Sequence, residues 1–224
     1  MIIDHETFHL PPNRSATPGA YAPFVACEGV NGCGKSTLIT NLSTRLEAAG
    51  RPFVKTREPG GTPLGLELRK LLLEWKGEKK SDLAELLLFA ADRAEHAEKI
   101  IRPALAQGST VLCDRYLYST ITFQGNGRGI SMDWIKQTNS LATQGLLPDL
   151  VILMDVDPSE GLRRTKARAS QAEDSFEAEE LAFHQRIREG FLTIAKESPV
   201  PFLVLNGLDS KEVNASKAAQ VLGI

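Results

Sequence analysis

The sequence predicts an α/β domain in which a parallel β-sheet is covered by helices on both faces. Short apolar runs alternate with longer stretches of helical periodicity over most of the 224 residues. A glycine-rich loop that ends in Gly-Lys-Ser follows the first apolar run and precedes the first helical stretch. Ligands collect beyond the carboxyl ends of the strands in such sheets, so the residues that follow each strand are the candidates for function.

The strand candidates are five apolar runs, each followed by a stretch of helical periodicity. They are FVAC (24–27), RPFVKT (51–56), STVLCD (109–114), DLVILMDV (149–156) and PFLVL (201–205). They are predicted to be buried on both faces, as strands of parallel sheets are. The alternation predicts a three-layer α/β/α arrangement.

Residues 1–22 lack periodicity and contain three prolines. This segment is therefore predicted to be a mobile extension that precedes a single domain of residues 23–224.

Charge and cysteine content exclude several classes of protein. With 26 basic and 28 acidic residues the net charge is −2, so no overall field attracts nucleic acid or a membrane surface. The cysteines, Cys27, Cys33 and Cys113, are odd in number and lack Cys-x-x-Cys spacing, which favours a reducing compartment. No apolar run approaches membrane length and no signal peptide precedes the domain, so a cytoplasmic location is expected.

The glycine-rich loop has the spacing of a phosphate-binding loop. It reads G-x-x-x-x-G-K-S, and Leu38, Leu42 and Leu46 continue it at helical spacing. Backbone N–H groups of such a loop point at phosphate oxygens, while Lys35 would reach the outer phosphates and Ser36 would bind Mg²⁺. The predicted ATP-binding residues are Gly29, Val30, Asn31, Gly32, Cys33, Gly34, Lys35, Ser36 and Thr37. The alternative is a turn that binds nothing, against which the lysine and the hydroxyl argue.

Two further strand ends carry charged pairs. Arg57 and Glu58 open the bend REPGGTPLG, and they are either ligand-facing residues or a surface ion pair. Asp114 and Arg115 end the next strand, where the aspartate can join a Mg²⁺ shell and the arginine can bind a second phosphate. A salt bridge at the strand end is the alternative for this pair.

The helical stretch 81–101 places Phe89 and Arg93 one turn apart on the same face. A flat ring beside a forked donor suits a planar nucleobase, although Phe89 taken alone is more often part of a core.

Four segments around the loop carry a resemblance to a known family. They are REPGGT (57–62), LLLFAADRAEH (86–96), DRYLYSTITFQGNGRG (114–129) and FHQRIREGFLTIAKESP (183–199). From about residue 24 to the C-terminus, the sequence resembles the thymidylate kinases, the dTMP kinases among the nucleoside-monophosphate kinases. The resemblance implies transfer of the γ-phosphoryl group of Mg·ATP to dTMP, giving dTDP and ADP in dTTP biosynthesis. Another nucleoside-monophosphate kinase or a deoxynucleoside kinase is the alternative.

The resemblance also implies an architecture. It implies a P-loop NTPase fold with a five-stranded parallel sheet, a mobile helical lid at about residues 165–180, and a homodimer. A P-loop GTPase would need an N-K-x-D motif, and the sequence contains none.

Roles in base binding follow by matching position. The resemblance implies that Phe89 stacks on thymine and that Arg93 hydrogen-bonds its carbonyl edge. Thr120 and Gln124 match positions that face the base, and Phe123 matches the aromatic residue that crowds the 2′ carbon of the sugar.

Roles in phosphate binding follow in the same way. Arg115 would clamp the dTMP phosphate with help from Arg57, while Glu58 and Pro59 would shape the wall of that site. Asn31 stands where most members of the family have an Asp or Glu over the 3′-hydroxyl, so this hydrogen bond would come from a neutral amide.

The lid segment departs from the family at one position. DSFE (174–177) has Ser175 where an arginine is usual. Glu177 is a candidate for an outer-sphere Mg²⁺ contact, and a solvated helix start is the alternative.

Phosphoryl transfer needs positive charge near the migrating group, and the loop segment VNGC supplies no arginine. The run PSEGLRRTKARAS (158–170) leads into the predicted lid. Arg168 is the first candidate for the catalytic arginine and Arg164 the second, whereas a basic, solvated helix end is the alternative.

Overall fold

The computed structural model describes residues 1–8, 10, 22–167, 176–177 and 179–224. These residues form one fully parallel sheet in the order β1-β6-β5-β2-β4-β3. The strands are β1 (Ile2–Ile3), β2 (Phe24–Glu28), β3 (Phe53–Arg57), β4 (Thr110–Asp114), β5 (Leu150–Asp155) and β6 (Phe202–Asn206). The predicted fold class, an α/β domain with a parallel sheet, is confirmed.

Helices connect the strands. They are α1 (Lys35–Ala48), α2 (Pro63–Leu73), α3 (Asp82–His96), α4 (Arg102–Ala106), α5 (Leu117–Thr120), α6 (Met132–Thr143), α7 (Pro158–Ala167), α8 (Leu181–Glu197) and α9 (Lys211–Leu222). A π-helical turn, Ala97–Ile101, joins α3 to α4, and a second one, Ile121–Gly127, continues α5. Among the described residues, no helix is both long and apolar enough to cross a membrane.

The described sheet has six strands where the resemblance implied five. The additional strand is β1, in which Ile2 pairs with Phe202 and Ile3 with Leu203 at the edge of the sheet. Strand β1 lies within residues 1–22, the segment that lacks periodicity in the sequence. Two residues are too few to show a strand period, which is why the sequence did not indicate this strand. The predicted mobility of the extension falls largely on residues 9 and 11–21, which lie outside the described residues.

Burial follows position in the sheet. Every residue of β2 is buried because β4 and β5 flank this strand and helices cover both faces. The prediction that β3 is buried on both faces is wrong. This strand pairs with β4 alone, and Lys55 and Arg57 are exposed on it. An edge strand has solvent along one side, so long charged side chains are tolerated there.

Local sequence sets the starts of the helices around the site. Gly34 precedes α1 with a φ of 107°, a left-handed conformation that favours glycine. Thr62 caps α2 by accepting a hydrogen bond from the Gly65 N–H at 2.9 Å, and Pro63 occupies the first helical position. Ser81 caps α3 in the same way, accepting from the Ala84 N–H. The bend and the helix that follow β3 are thereby fixed relative to each other.

Candidate active site

The phosphate loop lies between β2 and α1, at the carboxyl ends of the strands. Gly29 and Gly32 have φ values of 137° and 72°. A Cβ on Gly32 would lie 2.0 Å from the Gly161 carbonyl oxygen, so the loop needs glycine there. Lys35 is buried, and its Nζ donates to the Gly29 and Val30 carbonyl oxygens at 3.1 and 3.0 Å. The lysine is thus held over the concave side of the loop, where phosphate oxygens would replace the carbonyls.

A polar cleft opens beside the loop at the end of β4. Ser36 Oγ donates to Asp114 Oδ2 at 3.0 Å. Arg57 lines this same cleft with Gly60 and Gly61. One carboxylate and one hydroxyl match what Mg²⁺ uses when substrate phosphates supply further ligands. Glu177, the third predicted metal residue, is not among the residues that line this cleft.

A second pocket lies on the other side of Arg115, between the bend after β3, helix α3 and the π-helical turn after α5. It brings together nine of the ten predicted substrate residues and excludes Arg57. These nine are Asn31, Glu58, Pro59, Phe89, Arg93, Arg115, Thr120, Phe123 and Gln124. The sequence did not indicate the remaining lining residues, Arg69, Leu73, Ser119 and Phe176.

Arg93 is buried in the wall of this pocket and nearly all of its donors are occupied. Its Nε donates to Glu58 Oε2 at 2.9 Å, and its Nη1 donates to Thr120 Oγ1 and Asn139 Oδ1, each at 2.8 Å. Its Nη2 lies 2.8 Å from Glu58 Oε2. A guanidinium has five N–H groups, so one N–H on Nη2 has no acceptor among the described residues. That group can donate to a carbonyl oxygen of a bound base.

Glu58 is fixed from both sides. Besides Arg93, it contacts His96, whose Nδ1 lies 2.9 Å from Glu58 Oε1 and whose Nε2 lies 2.6 Å from Thr56 Oγ1. Asp92 holds the same bend by accepting from the Gly60 N–H at 2.9 Å. Burial, reinforced by the nearby Glu58 carboxylate, raises the pKa of Asp92 to about 6. Helix α3 therefore positions the pocket wall as well as contributing to it.

Arg115 lies between the phosphate loop and the pocket. Its φ of 70° is in the left-handed region. Its Nη1 donates to the Gly29 carbonyl oxygen at 2.9 Å and to Ser119 Oγ at 3.0 Å, and its Nη2 donates to Asn31 Oδ1 at 2.6 Å. Its guanidinium carbon lies 4.9 Å from the centre of the Phe123 ring. One side chain thus touches both the loop and the pocket.

Glu28, at the end of β2, holds the segment that carries Arg115. Glu28 Oε1 accepts from the Tyr116 and Ser119 N–H groups at 2.8 and 3.2 Å, and Oε2 accepts from the Ser119 hydroxyl at 2.6 Å. The residue is fully buried. This burial raises its pKa to about 7, although the Ser119 and Tyr116 hydrogen bonds and the Arg115 charge oppose the shift.

A further cleft adjoins the helix side of the phosphate loop. It is lined by Cys33, Gly34, Thr37, Leu38, Met154, Arg164, Gly207, Asp209, Lys211 and Asn214. Arg164 is fixed there, since its Nε donates to Glu160 Oε1 at 2.7 Å and its Nη1 donates to the Gly207 carbonyl oxygen at 3.0 Å. The cleft lies next to the loop and shares no lining residue with the pocket of Phe89 and Arg93, so it can hold the other end of a nucleotide whose phosphates occupy the loop.

Comparison with known proteins identifies the family. Residues 27–218 match the family model described as thymidylate kinase. A thymidylate kinase of Solidesulfovibrio magneticus is 46% identical over 205 residues, which are 89% of this chain and 98% of that protein. A thymidylate kinase of Gloeobacter violaceus is 49% identical over 176 residues, 79% of this chain and 82% of that protein. The chain belongs to the thymidylate kinase family.

As a member of the thymidylate kinase family, the chain is a kinase. The predicted lid segment, about residues 165–180, is described only in part. Arg168, the first candidate for the catalytic arginine, lies outside the described residues, as do Asp174 and Ser175. Arg164, the second candidate, lines the cleft beside the loop.

The sequence analysis missed one residue of the predicted lid segment that the structure does describe. Phe176 is buried, with its ring centre 6.0 Å from that of Phe89 and 5.5 Å from that of Phe123. An aromatic residue within the polar stretch 168–180 was the available signal for this contact.

Proposed function

We propose that this thymidylate kinase family member transfers the γ-phosphoryl group of ATP to dTMP, giving dTDP and ADP, where the base pocket meets the phosphate loop. The observation that carries the proposal is the position of Arg115. Its side chain bonds to Gly29 and Asn31 of the loop and lies over Phe123 of the pocket. A phosphate held by Arg115 would therefore face a triphosphate in the loop, as in-line transfer requires.

The base would lie in the pocket against Phe89. The remaining N–H of Arg93 would donate to a carbonyl oxygen of thymine, and Thr120 and Gln124 would complete the polar wall. Phe123, held by Arg115 above its ring, would lie beside the 2′ carbon of the sugar and disfavour ribonucleotides. A site built to satisfy the donors and acceptors of one base rejects another base because buried groups are then left unpaired.

The residues that would bind the phosphates of ATP would act through their charge and their position. Lys35 would exchange its two loop carbonyls for phosphate oxygens of ATP, while Ser36 and Asp114 would hold Mg²⁺. When bound, Mg²⁺ would neutralise negative charge that develops on the phosphates during transfer. The Asn31 amide would hydrogen-bond the 3′-hydroxyl of dTMP. Arg168 would supply the arginine that the loop segment VNGC lacks.

Arg57 and Glu177 receive more distant roles in this arrangement. Arg57, on the exposed end of β3, faces the cleft of Ser36 and Asp114, from which it can add positive charge near the phosphates. Glu177 would act on Mg²⁺ through water.

We also propose a homodimer formed through helices α3 and α6, which pack against each other. Leu83 and Leu87 on α3 are 46% and 53% exposed, and Trp134 and Leu141 on α6 are 57% and 80% exposed. Large apolar side chains grouped on adjacent helices mark interaction surfaces. The double variant Leu87→Glu/Leu141→Glu should sediment as a monomer if this surface forms the dimer.

Three free, buried cysteines suit a reducing compartment, and we propose the cytoplasm.

Turnover tests the assignment directly. ADP release should be measured in a coupled assay with dTMP, dUMP, UMP, CMP, AMP, GMP and thymidine. We expect dTMP to give the highest kcat/KM and UMP to be poor. If thymidine or another monophosphate is preferred, the chain is a nucleoside kinase or a different monophosphate kinase. Comparable kcat/KM for UMP and dTMP would contradict the role of Phe123.

A further inference from the structure

The amide of Gln124 is held in one orientation by a carboxylate behind the base pocket. Gln124 Nε2 donates to Glu85 Oε1 at 3.0 Å, and both residues are buried. A carboxylate that faces an arginine only accepts hydrogen bonds, so the amide nitrogen must face Glu85. Gln124 lines the pocket whereas Glu85 does not. The amide oxygen of Gln124 is therefore available on the pocket side, and no donor within the described part of the chain bonds to it.

Arg128 fixes the Glu85 carboxylate in turn. Its Nε donates to Glu85 Oε1 at 3.2 Å and its Nη2 donates to Glu85 Oε2 at 3.3 Å. Its Nη1 pairs with Glu179, and its guanidinium lies over the Phe176 ring, 5.3 Å from the ring centre. The Arg128 and Glu85 side chains are each 7% exposed. With both oxygens engaged, the carboxylate cannot turn away from Gln124.

The polar wall of the pocket therefore presents a defined pattern. Arg93 contributes one donor, the second N–H of its Nη2, and Gln124 contributes one acceptor, its amide oxygen. Thymine and uracil present the O4 acceptor beside the N3–H donor, whereas cytosine presents an amino donor beside the N3 acceptor. The wall complements thymine and uracil and opposes cytosine.

We infer that Glu85 is a positioning residue for base selectivity, which fixes the Gln124 amide so that its oxygen accepts from the N3–H group of the base. The inference rests on the proposed function, because it concerns selectivity in the same pocket. Glu85 acts only through Gln124. If the amide turned over, its N–H would oppose the N3–H of thymine and would match the N3 acceptor of cytosine.

Two variants test the inference through substrate ratios. Glu85→Gln can pair with Gln124 in either amide orientation, and Glu85→Met offers no acceptor at all. In each, the ratio of kcat/KM for dTMP to that for dCMP should fall about tenfold or more, because a buried hydrogen bond becomes mismatched. The ratio for dTMP to dUMP should stay within about twofold, since these bases share the N3–H group and differ by a methyl.

Asp82→Asn is the matched control. Asp82 Oδ1 also lies near Arg128, 3.8 Å from its Nε, and on the same helix as Glu85. It makes no hydrogen bond to Gln124 among the described contacts, so both ratios should remain at wild-type values. A merely structural role for Glu85 would lower turnover of all three nucleotides together. An unchanged ratio of dTMP to dCMP in both Glu85 variants would overturn the inference.

A measurement on the wild-type protein covers the case in which the Glu85 variants do not fold. The side-chain amide of Gln124 in ¹⁵N-labelled protein is assigned by its disappearance in Gln124→Leu. Slow hydrogen exchange of this amide supports the bond to Glu85, whereas exchange at the rate of a solvent-exposed amide overturns it. Wild-type turnover of dTMP is measured in the same series. Its absence would contradict the proposed function while the exchange experiment still tested the orientation of Gln124.

Discussion

Arg115 allows a test that separates phosphate binding from support of the fold. Its acceptors among the described residues are the Gly29 carbonyl, Ser119 Oγ and Asn31 Oδ1, all of them neutral. The guanidinium therefore keeps its charge for a phosphate group. Arg115→Ala should weaken the binding of dTMP and leave the binding of thymidine, which has no phosphate, near the wild-type value.

The expected size of the effect follows from the type of bond. A hydrogen bond to a charged group contributes about 1.5–3 kcal/mol. A factor of ten in an equilibrium constant corresponds to about 1.4 kcal/mol. Isothermal titration calorimetry should therefore show the Kd for dTMP rising roughly 10- to 100-fold. If thymidine binding weakens by the same factor, Arg115 supports the pocket instead of binding the phosphate.

The backbone of Arg115 provides the control. A left-handed φ, here 70°, costs a residue with a Cβ about 1–2 kcal/mol, and glycine avoids this cost. Arg115→Gly should lose as much dTMP affinity as Arg115→Ala. Arg115→Gly should nevertheless unfold at a higher urea concentration than Arg115→Ala, because the relief of backbone strain outweighs the greater conformational entropy that glycine has in the unfolded chain. Arg115→Gly and Arg115→Ala variants that bind dTMP like wild type would refute the assignment.

Three further predictions concern the base, a buried carboxylate and the lid. Phe89→Ala should raise the KM for dTMP roughly 5- to 100-fold and leave the KM for ATP unchanged, since base stacking contributes about 1–3 kcal/mol. An equal rise in both KM values would indicate that Phe89 is a core residue. The raised pKa of Glu28, about 7, means that the folded state binds a proton that the unfolded state releases near pH 4.5. The free energy of unfolding should therefore fall by up to about 3 kcal/mol as the pH rises from 4.5 to 7. Urea unfolding of Glu28→Gln over this pH range should show a smaller dependence of that free energy on pH, and an unchanged dependence would argue against this site. Arg168→Ala should lower the single-turnover rate by about 100-fold or more while ligand binding stays near normal. Arg163→Ala, which changes an exposed residue, should keep the rate. A normal rate in Arg168→Ala would mean that another residue supplies the positive charge near the migrating group.

The sheet was largely predictable because its central strands are short apolar runs between helical patterns. Each of the five predicted strands begins and ends within two residues of the observed one. The exposure of β3 was not predictable, since its place at the edge depends on strand order and not on its own residues. Strand β1 was missed because Ile2–Ile3 gains its conformation only by pairing with Phe202 and Leu203.

The base pocket was predictable to the extent that its residues follow strand ends or recur along a helix. Phe89 and Arg93 were indicated by their spacing, and the structure places both in the pocket wall. Glu28 was not indicated, since a buried carboxylate at the end of an apolar strand shows no pattern that distinguishes it from a surface charge. Arg57 was assigned to the dTMP phosphate, but as the last residue of the edge strand it lines the cleft of Ser36 and Asp114. Sequence order cannot show which of two adjoining clefts a long side chain enters.

The two arginines of the pocket are prepared for different partners by the residues that hold them. Arg93 forms a buried ion pair with Glu58, so its charge is compensated and its remaining N–H suits a neutral base carbonyl. Arg115 bonds directly to neutral oxygens, and Glu28 acts on it through Ser119, so its charge remains available to a phosphate. In this arrangement Asn31 has a consequence: an aspartate at the same position would pair with Arg115 and compete with the phosphate, whereas the amide fixes the guanidinium without neutralising it. Because the charge of one arginine is compensated locally and that of the other is not, a chain of net charge −2 could bind a base and a phosphate side by side at the proposed site.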